Sequence, residues 1–280
     1  MILAIHGHGT IVFAAALGVL ALVAVWPARI AADPQYGHER TIFTVGGHQA
    51  FVIRPAKPAA DGSKPWAWYA PTFVNSNGYP NASNEWLFRR LLDAGWTVAG
   101  VDVGESCGNP AGRKAYGEFY DAVVKQYGLD AKACLVPQSR GGLMLYNWAV
   151  ENPEKVRCIA GIYPVCDLRS YPGLKQAAAA YGMSEEELTR HLADHNPIDR
   201  LAPLAKACVP IFHIHGDADT VVPLDRNSQV ISDRYKALGG PMELVIVKGK
   251  GHAEIPEFFQ SPAMLKFLMD HAKAEAGAAK

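Results

Sequence analysis

Three side chains set far apart along the chain are of the types that together make a serine hydroxyl reactive: Ser139, Asp219 and His252, in that order. A serine hydroxyl is a poor nucleophile until a base takes its proton, and the base needs an acid to orient it. The serine lies in Val136-Pro137-Gln138-Ser139-Arg140-Gly141-Gly142. That stretch reads as the end of a short buried strand, an abrupt turn and the start of a helix. Such a turn lifts the hydroxyl off the sheet edge, and small residues just beyond it let the new helix pass close to neighbouring strands. A helix start also leaves backbone N–H groups free to meet negative charge.

The acid and the base each follow a predicted strand. His215-Gly216-Asp217-Ala218-Asp219-Thr220-Val221-Val222-Pro223 places Asp219 in a loop beyond a strand end, and Lys248-Gly249-Lys250-Gly251-His252 places His252 in a glycine-flanked loop. Asp217 shares the first loop and competes for the acid role; the Val-Val-Pro downstream favours Asp219. His213 and His215 alternate on the preceding strand, which is the pattern of a core or sheet-edge pair, and no third ligand suggests a metal. His195, in His195-Asn196-Pro197, reads as a structural cap. No metal and no cofactor are expected.

The elements that must position these groups alternate regularly. A hairpin (41–45 and 50–53) turns at Gly46-Gly47. Then come a strand over 66–70, a helix over 85–94 with Trp86, Leu87, Leu91 and Leu92 on its apolar stripe, and a strand over 96–102. A helix over 113–127, the strand at 134–136 with its helix, and a strand over 155–162 follow. After a break the pattern resumes: strand 210–215, helix 227–238, strand 243–247 and a helix from about 262 to 273. Alternation of this length predicts an α/β fold, a mainly parallel sheet with helices on both faces and an antiparallel start. The break, 167–204, holds two helical patches, the second capped by Ser184 with Glu187 three residues on. It is expected to be a small helical lid over the site, with a decorated sheet edge as the alternative.

These three motifs, in this order and each after a predicted strand, resemble the α/β-hydrolase family from about residue 41 to the C-terminus. Pro137 stands where the usual elbow has glycine. The resemblance implies the α/β-hydrolase fold and a triad in which Ser139 attacks, His252 moves the proton and Asp219 orients His252. It also implies an oxyanion hole made by the Arg140 N–H and by that of Thr72 or Phe73, in a loop where Pro71-Thr72-Phe73 replaces the family's common His-Gly. Ser followed by Arg is similar to the elbow of glucuronoyl esterases, which makes Arg140 a candidate substrate contact. The alternative has Arg140 pair with Asp102 or Glu105 and merely fix the glycine-rich loop 104–112. Tyr79, Trp86 and Tyr163 are candidate pocket walls. The implied activity is hydrolysis of a carboxylic ester, free or polysaccharide-linked, through an acyl-enzyme. The alternatives are a serine peptidase of the prolyl oligopeptidase type and a non-catalytic binding module on the same fold.

Composition bounds the remaining choices. The 280 residues suit one domain, and Lys+Arg and Asp+Glu both total 27, so a net charge of zero gives no reason to expect nucleic acid. Residues 11–26 form an uninterrupted apolar run, short for a membrane span and followed by Pro27 and small residues. Residues 1–32 therefore read as a signal peptide cleaved after Ala32, leaving a hydrolase domain at 33–280 in the periplasm or outside the cell. An uncleaved N-terminal anchor is the alternative and the one expected membrane contact. Five cysteines cannot all pair; several read as small core hydrophobes, with Cys158–Cys166 or a bridge from Cys107 open if the chain is exported.

Overall fold

Short, almost wholly apolar runs become the interior strands, because a parallel sheet is covered by helices on both faces. The computed structural model describes residues 30–74 and 80–272, with side chains from residue 34. Tyr79 and residues 11–26 lie outside the described residues. The strands are β1 (Ile30–Gln35), β2 (His38–Val45), β3 (His48–Ile53), β4 (Trp66–Ala70), β5 (Thr97–Val101), β6 (Ala133–Pro137), β7 (Val156–Ile162), β8 (Ile211–Gly216) and β9 (Met242–Val247). They form one sheet in the order β1-β2-β3-β5-β4-β6-β7-β8-β9. The first three strands and the β3–β5 pair are antiparallel, and every pair from β5 to β9 is parallel. This is the α/β-hydrolase arrangement. Strands β4, β5, β6 and β8 are buried at every position.

The helices are α1 (Glu85–Asp93), α2 (Pro110–Tyr127), α3 (Gly141–Ala149), α4 (Leu174–Tyr181), α5 (Glu185–Arg190), α6 (Leu192–His195), α7 (Ala202–Lys206), α8 (Ser228–Ala237), α9 (Pro256–Phe259) and α10 (Pro262–Ala272). On one face of the sheet, Trp66 and Trp68 of β4 pack with Phe119 and Tyr120 of α2 and Trp148 of α3; the Trp68 and Trp148 rings are 4.6 Å apart. Tilted aromatic contacts of this kind add to plain area burial. On the other face, Phe88, Leu91 and Leu92 of α1 meet Met264 and Leu268 of α10.

Two local expectations change. Helix α1 buries Leu87, Phe88, Leu91 and Leu92. Trp86 falls just outside that face and lies half-buried, with the Arg90 guanidinium 4.0 Å above its ring. Strand β1 was not expected at all. It forms because Tyr36 (φ 55°) and Gly37 (φ 80°) make a two-residue turn of the twist that hairpins favour.

The segment 167–204 folds into α4 to α6 and part of α7, around a third small core of Leu168, Ala177, Ala178, Leu188, Leu143 and Val222. Ser184 caps α5 by accepting from the Glu187 N–H. Buried Asn196 and Asn227 pin the start of the segment: Asn196 Oδ1 accepts from Leu168 N–H at 2.9 Å, and Asn227 Oδ1 accepts from Cys166 N–H at 2.8 Å. His195 packs its ring 4.8 Å from that of Tyr181, a structural place.

Candidate active site

Ser139 has φ 49°, a left-handed backbone that costs a non-glycine residue ~1–3 kcal/mol. The turn is held from both sides. Gln138 N–H donates to Ala70 O at 2.8 Å, Ser139 N–H to Ile162 O at 3.0 Å, and Val165 N–H to Ser139 O at 2.8 Å. The glycines that follow are required by close approach. A Cβ on Gly141 would sit 2.0 Å from Ala70 O, and one on Gly142 would sit 2.2 Å from Val165 O. The serine is therefore wedged between the ends of β4 and β7.

The structure brings Ser139, His252 and Asp219 together. His252 Nε2 lies 3.0 Å from Ser139 Oγ, and His252 Nδ1 lies 2.7 Å from Asp219 Oδ2. A carboxylate only accepts, so Nδ1 carries the ring proton and Nε2 is bare toward the serine. Asp219 Oδ1 accepts from the N–H groups of Val221 (2.9 Å) and Val222 (2.8 Å). Burial raises the Asp219 carboxyl, but hydrogen bonds from His215, His252 and Val222 N–H outweigh it and hold the group well below the usual carboxylate range. Asp217 is placed elsewhere. It accepts from Gly249 N–H at 2.6 Å and pairs with Lys248 at 3.1 Å, tying the two late loops to each other.

A cavity of about 320 Å³ opens at Ser139, lined by Pro71, Arg140, Tyr163, Tyr171, His252 and Glu254 among others. Tyr163 also supports His252 from below, its ring centroid 4.2 Å from the imidazole. The Arg140 guanidinium pairs with Glu105 and lies 5.5 Å over the Phe73 ring. Asp102, the other candidate partner, accepts from Gly104 N–H at 3.0 Å and Val74 N–H at 3.3 Å instead. Thr72 turns its hydroxyl back to Tyr69 O at 3.1 Å. Among the described residues, neither the Arg140 N–H nor the Thr72 N–H meets an acceptor.

Some residues of the site were not singled out from sequence. Gln138 is buried beneath the elbow, where its Oε1 accepts from Tyr69 OH (2.7 Å) and Asn84 Nδ2 (3.1 Å). Glu254 Oε2 accepts from Ser83 Oγ (2.7 Å) and Asn81 Nδ2 (3.0 Å), so the His252 loop is tied to the short capped turn Ala82–Asn84 that leads into α1. The Asn81-x-x-Asn84 capping spacing was a readable signal for a fixed turn there; its link to the site was not. Tyr171 reaches the cavity from the 167–204 segment, so that segment borders the site.

The family model described as the prolyl oligopeptidase family matches residues 116–275, a span that contains Ser139, Asp219 and His252. Solved structures with a similar fold include an S-formylglutathione hydrolase from Agrobacterium tumefaciens, at 16% identity and a TM-score of 0.63, covering 87% of this chain and 98% of that one. An acylaminoacyl peptidase from Pyrococcus horikoshii matches at 16% identity and a TM-score of 0.64, over 90% of this chain but 43% of its own. Dipeptidyl peptidase 4 from Porphyromonas gingivalis matches at 17% identity and a TM-score of 0.64, over 86% of this chain and 36% of its own. The chain thus spans well under half of those two peptidases. No curated protein matches the sequence.

Proposed function

The chain belongs to the prolyl oligopeptidase family and is a serine hydrolase of that esterase–peptidase type; from that premise we propose that it cleaves a carboxylic ester through an acyl-enzyme on Ser139. The observation that carries the reading is the unbroken line from Asp219 through His252 to Ser139, 2.7 Å and 3.0 Å long. Ser139 Oγ attacks the carbonyl carbon as His252 Nε2 takes its proton, and Asp219 stabilises the imidazolium that forms. The Arg140 N–H and that of Thr72 or Phe73 receive the oxyanion; the Arg140 and Thr72 N–H groups have no acceptor among the described residues. His252 then protonates the leaving oxygen, and water releases the acid by the same steps in reverse.

Support for an ester comes from the S-formylglutathione hydrolase, matched over 98% of its own length. The second reading is a peptide bond, favoured by the acylaminoacyl and dipeptidyl peptidases among the fold neighbours. Arg140 and Tyr163, both on the cavity wall, are the proposed substrate contacts. With residues 1–32 read as an export signal, the proposed substrates are small or polysaccharide-linked esters outside the cytoplasm.

The test is hydrolysis of p-nitrophenyl esters, acetate through octanoate, beside proline-containing peptide p-nitroanilides, with Ser139→Ala as the blank. Ester turnover that disappears in the blank supports the proposal. Turnover of the anilides alone replaces the ester by a peptide bond. A folded protein that cleaves neither, and whose Ser139 does not react with a fluorophosphonate, sinks both readings.

A further inference from the structure

Four buried polar side chains lie behind Asp219, and the catalytic steps above use none of them. Strand β8 points every second residue to one face, which puts His213 and His215 side by side with no exposure of either. Ser228, the first residue of α8, places its Oγ 2.9 Å from His213 Nδ1 and 2.8 Å from His215 Nδ1. Tyr146 OH, from α3, lies 2.7 Å from His213 Nε2. At the other end His215 Nε2 lies 2.8 Å from Val222 O and 3.4 Å from Asp219 Oδ2.

Counting protons fixes the direction of this chain from both ends. Among the described residues the fully buried Tyr146 hydroxyl has His213 Nε2 as its sole partner, so it donates there. A neutral His213 then carries its proton on Nδ1 and donates to Ser228 Oγ. Ser228 has one proton, and His215 Nδ1 is left to accept it. His215 therefore carries its proton on Nε2. The far end demands the same answer, because Val222 O and the Asp219 carboxylate both only accept. Burial, with His215 beside it, keeps His213 neutral by lowering it to about 3.

We propose that His215 is a positioning residue: through this one-way chain it presents a fixed N–H, bonded to Val222 O and facing Asp219 Oδ2 at 3.4 Å, that holds the carboxylate orienting His252. The proposal rests on the reading of Ser139, His252 and Asp219 as a triad. Asp219 accepts two backbone N–H groups on Oδ1 and the His252 N–H on Oδ2. His215 Nε2–H donates to Val222 O and stands 3.4 Å from Oδ2, so its dipole faces the oxygen that orients His252 and its bond to Val222 O fixes the loop whose Val222 N–H holds Oδ1. Without His215, both the facing dipole and the anchor on Val222 are lost. The groups facing His215 are Asp219, His213, Ser228 and the Tyr163 ring at 6.4 Å, with Tyr146 beyond His213 and His252 across Asp219.

Two variants separate positioning from filling. His215→Gln keeps an N–H near the Nε2 position, and His215→Phe keeps the volume without it. The readout is the rate of Ser139 labelling by a fluorophosphonate as a function of pH, which does not depend on the natural bond, together with kcat and KM for p-nitrophenyl acetate. The expected result for His215→Phe is a loss of roughly tenfold to a hundredfold, the range typical of outer partners of a catalytic group. The loss falls on kcat and not KM, and the acid limb moves to higher pH because a carboxylate that no longer faces the His215 N–H dipole holds the imidazolium more strongly. His215→Gln restores both. An unmoved acid limb, or equal behaviour of the two variants, overturns the proposal. Nitrogen NMR of the wild-type imidazoles decides the proton order even where a variant fails to fold: His215 must be protonated on Nε2 and His213 on Nδ1, and the opposite tautomers overturn it. A wild-type protein that takes no label sinks the triad reading, while the tautomers still test the chain.

Discussion

Ser139 stands between two walls of opposite construction. On the His252 side, the Asp219 side chain is wholly buried and both of its oxygens are hydrogen-bonded. On the Arg140 side, a guanidinium at 34% exposure meets Glu105 at 56%, with the Phe73 ring beneath it. Ion pairs this close to water contribute ~0–1 kcal/mol, whereas an acceptor bonded in a dry interior is held by every bond it would lose on moving. The His252 half of the site is thus firmly held, and the Arg140 half, the proposed substrate side, is loosely held. Substitutions on the two walls are expected to differ by orders of magnitude.

The largest effects fall on the buried wall. Ser139→Ala is expected to lower kcat by ~10⁶, measured on whichever ester the wild-type protein turns over. Asp219→Asn comes next, at ~10⁴. The amide offers its NH₂ to His252 Nδ1 and forces the proton onto Nε2, so the ring faces Ser139 with a donor. Asp217→Asn two residues earlier should cost only a few-fold, since Asp217 meets Gly249 and Lys248 and not the imidazole. Equal losses for the two aspartate variants would break the contrast between the walls and return the acid's identity to the open choice that the sequence leaves.

That choice shows where the sequence is legible. Ser139, Asp219 and His252 each sit one turn beyond an apolar strand, and strand ends in a parallel sheet share one edge, so local patterns place all three. The elbow glycines were legible for the same reason. Groups that meet only through tertiary packing were not. Gln138 and Glu254 are 116 positions apart, and nothing in either neighbourhood names the other. Arg140 could be read as facing Asp102 or Glu105, because both lie in one loop; backbone N–H groups at 74 and 104 occupy Asp102 and leave Glu105. The alternation of His213 and His215 marks a core or sheet-edge pair, and the core is where they lie. What alternation cannot show is Ser228 bridging them or Asp219 at their end.

A smaller effect tests the buried wall as a whole. His213 stays neutral in the folded state down to about 3 but takes a proton at 6.5 when unfolded. Between those values the unfolded chain binds the extra proton, so stability is complete above 6.5 and declines as pH falls, by at most ~1.4 kcal/mol per unit. His195, lowered by its burial and by Arg113 and Arg200, acts in the same direction. Cooling of the thermal midpoint by roughly 2–4 °C for each kcal/mol lost is the expected reading. The decline should flatten in His213→Gln, which has no group to titrate there. An unchanged slope in that variant would assign the acid sensitivity to other groups.

The smallest expected effect belongs to the exposed wall. Glu105→Gln removes the charge that Arg140 faces while keeping the shape of the side chain. Because the pair is well exposed, stability should change by less than ~1 kcal/mol, and kcat/KM for a neutral ester should stay within about threefold. The informative quantity is a ratio: kcat/KM for an ester whose acid part carries a second carboxylate, divided by that of its neutral analogue. With Glu105 neutralised, the guanidinium is free to make planar, paired contacts to a carboxylate, and the ratio should rise roughly threefold to tenfold, a gain that salt then reduces. A ratio that does not move means that Arg140 addresses the glycine-rich loop and not the substrate, and that selectivity is set elsewhere on the cavity wall, with Tyr171 the next residue to change.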